Sequence, residues 1–323
     1  MNAPLRTLGE LPAEQDPRWA AVVARDRSAD GSFYYSVSTT SVYCRPSCAA
    51  RHAKPSHVRF HRTRADAERA GFRPCKRCKP DGFRGEPDAR IATRVAAIDW
   101  AVVGQSLDRH GFASLGTLLS AAECAELSDL YDDGSRFRST VVMARHGFGS
   151  GEYKYFSYPL PPIIATLRPA LYRALAPIAN RWHEAMGVAT RFPAAHADFI
   201  KRCHDAGQKR PTPLLLRYHA GDYNCLHQDL YGEHVFPLQV VTLLSEPGKD
   251  FTGGELVLAE QRPRMQSRAE VVPLKRGEAA VFAVHHRPVA GTRGTYRVNM
   301  RHGVSRLRSG ERYTAGIIFH DAG

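Results

Sequence analysis

The chain has 323 residues, 43% of them hydrophobic and 24% charged, a balance that excludes wholesale disorder and a length that suits about two domains. Forty-five Lys and Arg stand against 32 Asp and Glu, a formal charge of +13, so a polyanionic partner is expected, nucleic acid first. No apolar run approaches the ~18 residues of a membrane-spanning helix, and the N-terminus lacks the apolar core of a signal peptide, so no membrane partner is expected and the expected location is cytoplasmic. A monomer is the expected state.

Residues 1–15 read as a flexible tail. Beyond them the charge is concentrated: residues 45–84 hold 12 Lys and Arg against 3 Asp and Glu, +9 of the +13. Four of the seven cysteines bracket the same stretch: Cys44, Cys48, Cys75 and Cys78, spaced C-x3-C, then 26 residues, then C-x2-C. In a cytosolic chain two close pairs on one short module read as a four-thiolate Zn²⁺ site rather than as disulfides. Cys124, Cys203 and Cys225 are scattered and read as incidental or buried thiols. Between the pairs, Thr63-Arg-Ala-Asp66 has the form of a capping box, and Gly71 can end the short helix that follows. The Pro-, Gly- and charge-rich run from Lys79 to Pro87 marks a boundary. It gives a module over 16–82, a linker over 83–95 and a second domain over 96–323.

The second domain opens as a helical region. Ser120-Ala-Ala-Glu123 is another capping box, starting a helix that runs to about Tyr131. Residues 163–186 carry a helical apolar pattern punctuated by Pro169 and Pro177. From Pro213 the period shortens. Runs at Leu214–Tyr218, Leu238–Leu244, Glu255–Leu258, Val271–Leu274, Ala279–Val284, Tyr296–Arg301 and Arg312–Phe319 read as strands, separated by turn signals such as Gly253-Gly254 and Ser309-Gly310. Seven or more short strands with few helices between them suggest a sandwich or jelly roll.

His227-Gln-Asp229 lies just past the first of these strands. Residues i and i+2 of an extended chain point the same way, so an imidazole and a carboxylate project together. The best third ligand is His302, with His285 and His286 as rivals. Two His and one carboxylate leave coordination positions open, as in non-haem Fe(II) oxygenases. Ten residues after His302 comes Arg312, with Thr314 on the same strand face, a guanidinium and a hydroxyl placed to clamp a carboxylate.

This H-x-D, distal His and Arg-x-Thr pattern resembles the Fe(II)/2-oxoglutarate oxygenases. The resemblance covers about residues 96–321 and includes Phe251-Thr-Gly-Gly-Glu-Leu256. It implies a double-stranded β-helix, iron on His227, Asp229 and His302, O₂ as oxidant, and Arg312 and Thr314 holding the distal carboxylate of 2-oxoglutarate. Residues 217–229 resemble the AlkB dealkylase strand, which implies that Tyr218 touches the cosubstrate. That branch has Asn where this chain has Leu216, and a longer spacing from distal His to Arg.

Phe33 to Asp81 is similar to the zinc domain of Ada DNA-repair proteins. The matching text is Tyr43-Cys-Arg-Pro-Ser-Cys48, Ala50-Arg-His-Ala53 and Ala70-Gly-Phe-Arg-Pro-Cys-Lys-Arg-Cys-Lys-Pro-Asp81. The resemblance implies Zn²⁺ on the four cysteines and Cys44 as acceptor of a methyl group from a DNA methylphosphotriester. Arg45, Arg51, Arg73, Lys76 and Arg77 become candidate DNA contacts. Zinc keeps a thiolate nucleophilic at neutral pH. Four thiolates on Zn²⁺ carry −2 and resist a phosphate diester, whereas a neutral triester can approach. The helix-turn-helix and alkyltransferase parts of Ada proteins are not evident.

The expected architecture is therefore α+β: a small zinc-binding α/β module followed by a jelly roll with supporting N-terminal helices. The expected function is repair of alkylated DNA, oxidatively by the second domain and by methyl transfer to Cys44 in the first. An alternative keeps the zinc module as a damage sensor and recruiter while the oxygenase hydroxylates a protein or small molecule. A third reading is a scaffold that has lost iron.

Overall fold

The fold is that of a computed structural model, which describes residues 12–26, 29–30, 33–61, 64–80, 87–292 and 294–323. Most of the expected tail, the Thr63 end of the first capping box and residues 81–86 of the boundary run lie outside the described residues. Ala13–Gln15, expected in the tail, form one 3-10 turn. The chain divides into two units, Met1–Pro87 and Asp88–Gly323.

In the first unit a short helix α1 (Arg18–Val23) precedes strands β1 (Tyr34–Val37), β2 (Val42–Cys44) and β3 (Val58–His61). Helix α2 (Arg64–Arg69) and the two-residue β4 (Arg73–Pro74) follow. The sheet order is β3-β1-β2-β4, with only β2 and β4 parallel. All of β1 is buried. Phe33, Tyr35 and Val37 pack on the four cysteines, so the thiols are themselves part of this small core. Too few apolar residues surround them for an independent core, and a metal is the usual supplement at this size.

In the second unit, residues expected as linker are helix: α3 (Pro87–Ala96) buries Ile91 and Val95, four apart on one face. Pro87 stands at its first position, where a missing N–H costs nothing. Arg94 ties α3 to Glu123 at 2.8 Å. Helix α4 (Trp100–His110) is capped by the Asp99 carboxylate and stopped by Gly111 at φ 79°. The second capping box is present, Ser120 and Glu123 exchanging hydrogen bonds at the start of α5 (Ala121–Asp129). Helices α6 (Pro162–Ala185) and α7 (His196–Asp205) follow. Leu167, Leu171, Leu175 and Trp182 of α6 are buried along one stripe, each worth roughly 1.5–3 kcal/mol of transfer free energy.

Four strands interrupt the region expected to be helical: β5 (Phe112–Thr117), β6 (Phe137–Val142), β7 (Gly149–Ser150) and β8 (Glu152–Phe156). The remaining strands are β9 (Leu214–His219), β10 (Tyr223–His227), β11 (Leu238–Leu243), β12 (Phe251–Gly253), β13 (Leu256–Gln261), β14 (Arg268–Val272), β15 (Glu278–Ala283), β16 (His286–Gly291), β17 (Gly294–Val304) and β18 (Leu307–Ile317). They form two antiparallel sheets. The major one runs β5-β15-β11-β18-β9-β8-β6, with β12 paired to β18. The minor one runs β14-β13-β17-β10-β7, with β16 paired to β17. The added strands extend the sheet edges, where a short segment is stabilised by its neighbour more than by its own composition. This two-sheet arrangement is the expected jelly roll with N-terminal helices.

Candidate metal centres and the cleft between the sheets

In the first unit the four cysteine sulfurs lie within 4.8 Å of one another. Cys44 ends β2, and β1 places Tyr35 opposite it. The turn between Cys44 and Cys48 is fixed by buried Asp30, which accepts the Ser47 N–H at 2.8 Å and faces Arg45 at 3.5 Å. Hydrogen bonds with Cys44 and Cys78 pull the Cys48 thiol down, while hydrogen bonds with Cys48 and Cys78, and burial, hold Cys44 far above the ordinary thiol range. Crowded sulfurs therefore share their protons, and full ionisation needs a cation among them. Four sulfurs in such a group match the donor set of a structural zinc site. Of the candidate DNA contacts, Arg51, Arg73, Lys76 and Arg77 are exposed, and Arg45 faces Asp30.

In the second unit His227 at the end of β10 and His302 on β17 are register partners, their rings 4.2 Å apart. Gly303 permits this: a Cβ there would lie 2.6 Å from the Asn224 carbonyl oxygen. Two residues beyond His227, Asp229 turns in to complete the group. Its Oδ1 is 3.5 Å from His227 Nε2 and its Oδ2 is 3.3 Å from His302 Nε2. His227 Nδ1 donates to the Cys225 carbonyl at 2.8 Å, leaving Nε2 as the free lone pair. His302 Nδ1 is buried without a hydrogen-bond partner, and its ring packs on Phe282 at 4.7 Å.

Burial alone raises the Asp229 carboxyl, but hydrogen bonds and charge from the two imidazoles outweigh it and hold the group well below the usual range. Burial lowers His302. For His227 burial acts downward, and the Asp229 carboxylate outweighs it. One carboxylate and two imidazoles, converging in a buried pocket, are a donor set suited to Fe(II). His285 and His286 stack on each other at 3.5 Å and line a separate cleft with His183 and Arg297.

The triad opens into a cleft between the sheets. On β18, Arg312 pairs in register with Tyr218, Thr314 with Leu216, and Gly316 with Leu214. Arg312 and Thr314 line this cleft with the triad. Arg312 is 3% exposed, and its Nη1 reaches Thr314 Oγ1 at 3.3 Å. Its Nε is buried without a partner, and among the described residues no carboxylate forms an ion pair with it. The Tyr218 ring lies 5.6 Å from its guanidinium carbon, and the phenol oxygen accepts from Asn224 at 3.4 Å. Burial pushes Arg312 down to about 10. A buried guanidinium with no carboxylate in contact, Glu255 acting on it only through space, is costly, so the geometry fits an anionic ligand such as a carboxylate.

Three contributors carry no sequence motif. Tyr231 donates to Asp229 Oδ1 at 2.7 Å. Phe282 packs on His302. Gln208, beyond α7, donates to the Tyr231 carbonyl at 3.1 Å and accepts the His234 N–H at 2.8 Å, pinning the loop behind Asp229. Only Tyr231, two residues past the acidic ligand, had a position that could have drawn notice.

Residues 151–322, just over half of the chain, match the family described as an oxygenase catalysing oxidative methylation of damaged DNA. Residues 17–81 match the metal-binding domain of Ada. An uncharacterized protein of Mycobacterium tuberculosis is 51% identical over 167 residues, covering 52% of this chain and 72% of that protein. The bifunctional transcriptional activator/DNA repair enzyme Ada of Escherichia coli is 54% identical over 66 residues, 20% of this chain and 19% of its own length. Among solved structures, a Pseudomonas putida prolyl-4-hydroxylase is similar over 69% of this chain and 99% of its own, with 14% identity and a TM-score of 0.43.

Proposed function

Because this chain belongs to the oxygenase family described as acting on damaged DNA, we propose that it repairs alkylated DNA by oxidative dealkylation, with a second, stoichiometric methyl transfer to Cys44. The observation that carries the reading is a buried, unpaired Arg312 in the same cleft as the His227, Asp229 and His302 triad. It supports a metal centre that works with a carboxylic acid cosubstrate.

In this reading His227, Asp229 and His302 would hold Fe(II), and Arg312 with Thr314 would grip the distal carboxylate of 2-oxoglutarate, with Tyr218 lining the same cleft. Fe(II), 2-oxoglutarate and O₂ would supply the oxygen atom that converts an N-alkyl carbon to a carbinol, which collapses to an aldehyde and the free base. The protein fixes the donors: the Cys225 carbonyl orients His227, and Tyr231 orients the Asp229 carboxylate. A target base must leave the stack to enter a cleft between two sheets. In the first unit, Cys44, Cys48, Cys75 and Cys78 hold Zn²⁺, and Cys44 takes the methyl group of a neutral phosphotriester. The exposed Arg51, Arg73, Lys76 and Arg77 supply the positive field for the backbone.

The test is 2-oxoglutarate consumption by anaerobically Fe(II)-loaded protein after admission of air, with and without alkylated oligonucleotides. Stimulation by alkylated over plain DNA supports the reading. Equal rates with both, or turnover driven only by a protein or metabolite, would remove it.

A further inference from the structure

The inner face of the cleft has two ends. Along β18 and its continuation the residues Arg312, Thr314, Gly316 and Ile318 succeed one another on one side of the sheet. Arg312 marks the end assigned to the cosubstrate. The other end is bounded by Ile318, Leu214, Tyr155, Tyr231 and Gln239. Gln239, on β11, is the register partner of Phe282, whose ring packs on His302. This end thus adjoins the triad on the side away from Arg312.

Gln239 is 6% exposed, and its Oε1 is buried with no hydrogen-bond partner. Buried amide oxygens are nearly always paired, and an unpaired one facing a cavity is satisfied by what enters the cavity. The walls around it are aromatic and apolar. Tyr155 meets Tyr231 edge to face, with centroids 6.4 Å apart, and the Arg138 guanidinium lies 4.4 Å over the Tyr155 ring. A flat ring can be seated against such a wall while one acceptor reads its edge, the combination that proteins use for unstacked bases.

We infer that Gln239 is the specificity-determining residue of the substrate seat, its Oε1 accepting a hydrogen bond from an N–H on the edge of the bound base. The inference rests on the DNA-dealkylation reading and deepens it. A base with an amino group on that edge completes the pair. A base with only carbonyl oxygens there sets acceptor against acceptor in the amide orientation seen here and pairs only if the amide turns over to present Nε2.

The experiment uses full-length protein and pairs of single-stranded oligonucleotides carrying one alkylated base with either an amino group or a carbonyl on its edge. Affinity is read by fluorescence anisotropy with Co(II) and 2-oxoglutarate bound, and KM and kcat by 2-oxoglutarate consumption with Fe(II). Wild type should prefer the amino-edged partner. Gln239→Leu should weaken that oligonucleotide about tenfold in Kd and KM, the loss of one hydrogen bond, with kcat and the carbonyl-edged partner little changed. Gln239→Glu keeps an acceptor in place and should keep the preference, which serves as the test if the Leu variant does not fold. A wild type without preference, equal losses for both partners in Gln239→Leu, or a lost preference in Gln239→Glu overturns the inference. If wild type binds and turns over neither alkylated oligonucleotide, the dealkylation reading itself fails and this assignment goes with it.

Discussion

Arg312 illustrates how a residue proposed to hold a ligand can weaken the protein that carries it. Its guanidinium is 3% exposed and lacks an ion pair among the described residues. Because burying an ion costs desolvation energy, an apolar side chain of similar length in its place is neutral or stabilising. Arg312→Met should therefore hold or raise the denaturant midpoint of the ligand-free protein while removing 2-oxoglutarate binding in calorimetry. A lower midpoint together with intact binding would contradict the assigned role. Tyr231→Phe removes the hydrogen bond to Asp229 Oδ1 together with the hydroxyl's contact with Tyr155. It should weaken Co(II) affinity by about 10–100-fold, the usual cost of losing a partner of a metal ligand, with the secondary structure unchanged by circular dichroism. That His227, Asp229 and His302 converge, with Arg312 and Thr314 lining the same cleft, was legible in the sequence because ligand chemistry and period-2 spacing travel with the residues. Tyr231, Gln208, Phe282 and Gln239 were not, because a phenol, an amide or a ring acquires its role only from what the fold sets against it.

Strands β10 and β17 bring the two imidazoles together, and they approach as closely as Gly303 allows. Gly303→Ala would place a Cβ 2.6 Å from the Asn224 carbonyl oxygen. The strands must part, so Co(II) binding should fall sharply along with stability; unchanged metal affinity would show that the approach is not needed. The C-terminal strand end carries a pH dependence. His320, fully buried, and His196, mostly buried, are pushed down to about 4 by burial. The unfolded chain, with ordinary imidazoles, binds more protons between pH ~6.5 and the folded value, so stability falls as pH drops through that window by up to ~1.4 kcal/mol per unit per group. Urea midpoints at pH 7, 5.5 and 4.5 should decline, and His320→Asn should flatten the slope. Seven of the strands from Leu214 onward were legible from their turn signals; β10, β12 and β16 were not, being short segments held by pairing to β17 or β18. β5, β6 and β8 were not: β5 and β6 are the two edges of the major sheet, and β5 and β8 owe their strand form to the distant partners β15 and β9. Helix α3 was hidden by the Pro- and Gly-rich run before it, which spoke for a linker, although Ile91 and Val95 already carried the helical period.

At the scale of the molecule, the two units differ in what holds them together. The first relies on its four cysteines as core and as candidate metal ligands. Zinc removal by a chelator should raise amide hydrogen exchange across residues 33–61 and 64–80 while the sheets of Asp88–Gly323 stay protected. Uniform loss in both units would contradict two separately stabilised domains. Methyl transfer to Cys44 would change the charge of a four-thiolate zinc centre from −2 to −1 beside a segment carrying +9. The methylated protein should therefore bind DNA more tightly than the unmethylated one across a salt series. No helix among the described residues is long and apolar enough to cross a membrane. The most direct measurement is mass spectrometry of both reactants after the Zn²⁺- and Fe(II)-loaded protein is incubated with 2-oxoglutarate, O₂ and DNA bearing methylated bases and methylphosphotriesters. The account predicts bases that have lost the methyl group, aldehyde and succinate in matching amounts, and one added methyl on the peptide containing Cys44. DNA with its base methylation intact, from protein that binds both metals and 2-oxoglutarate, would contradict it.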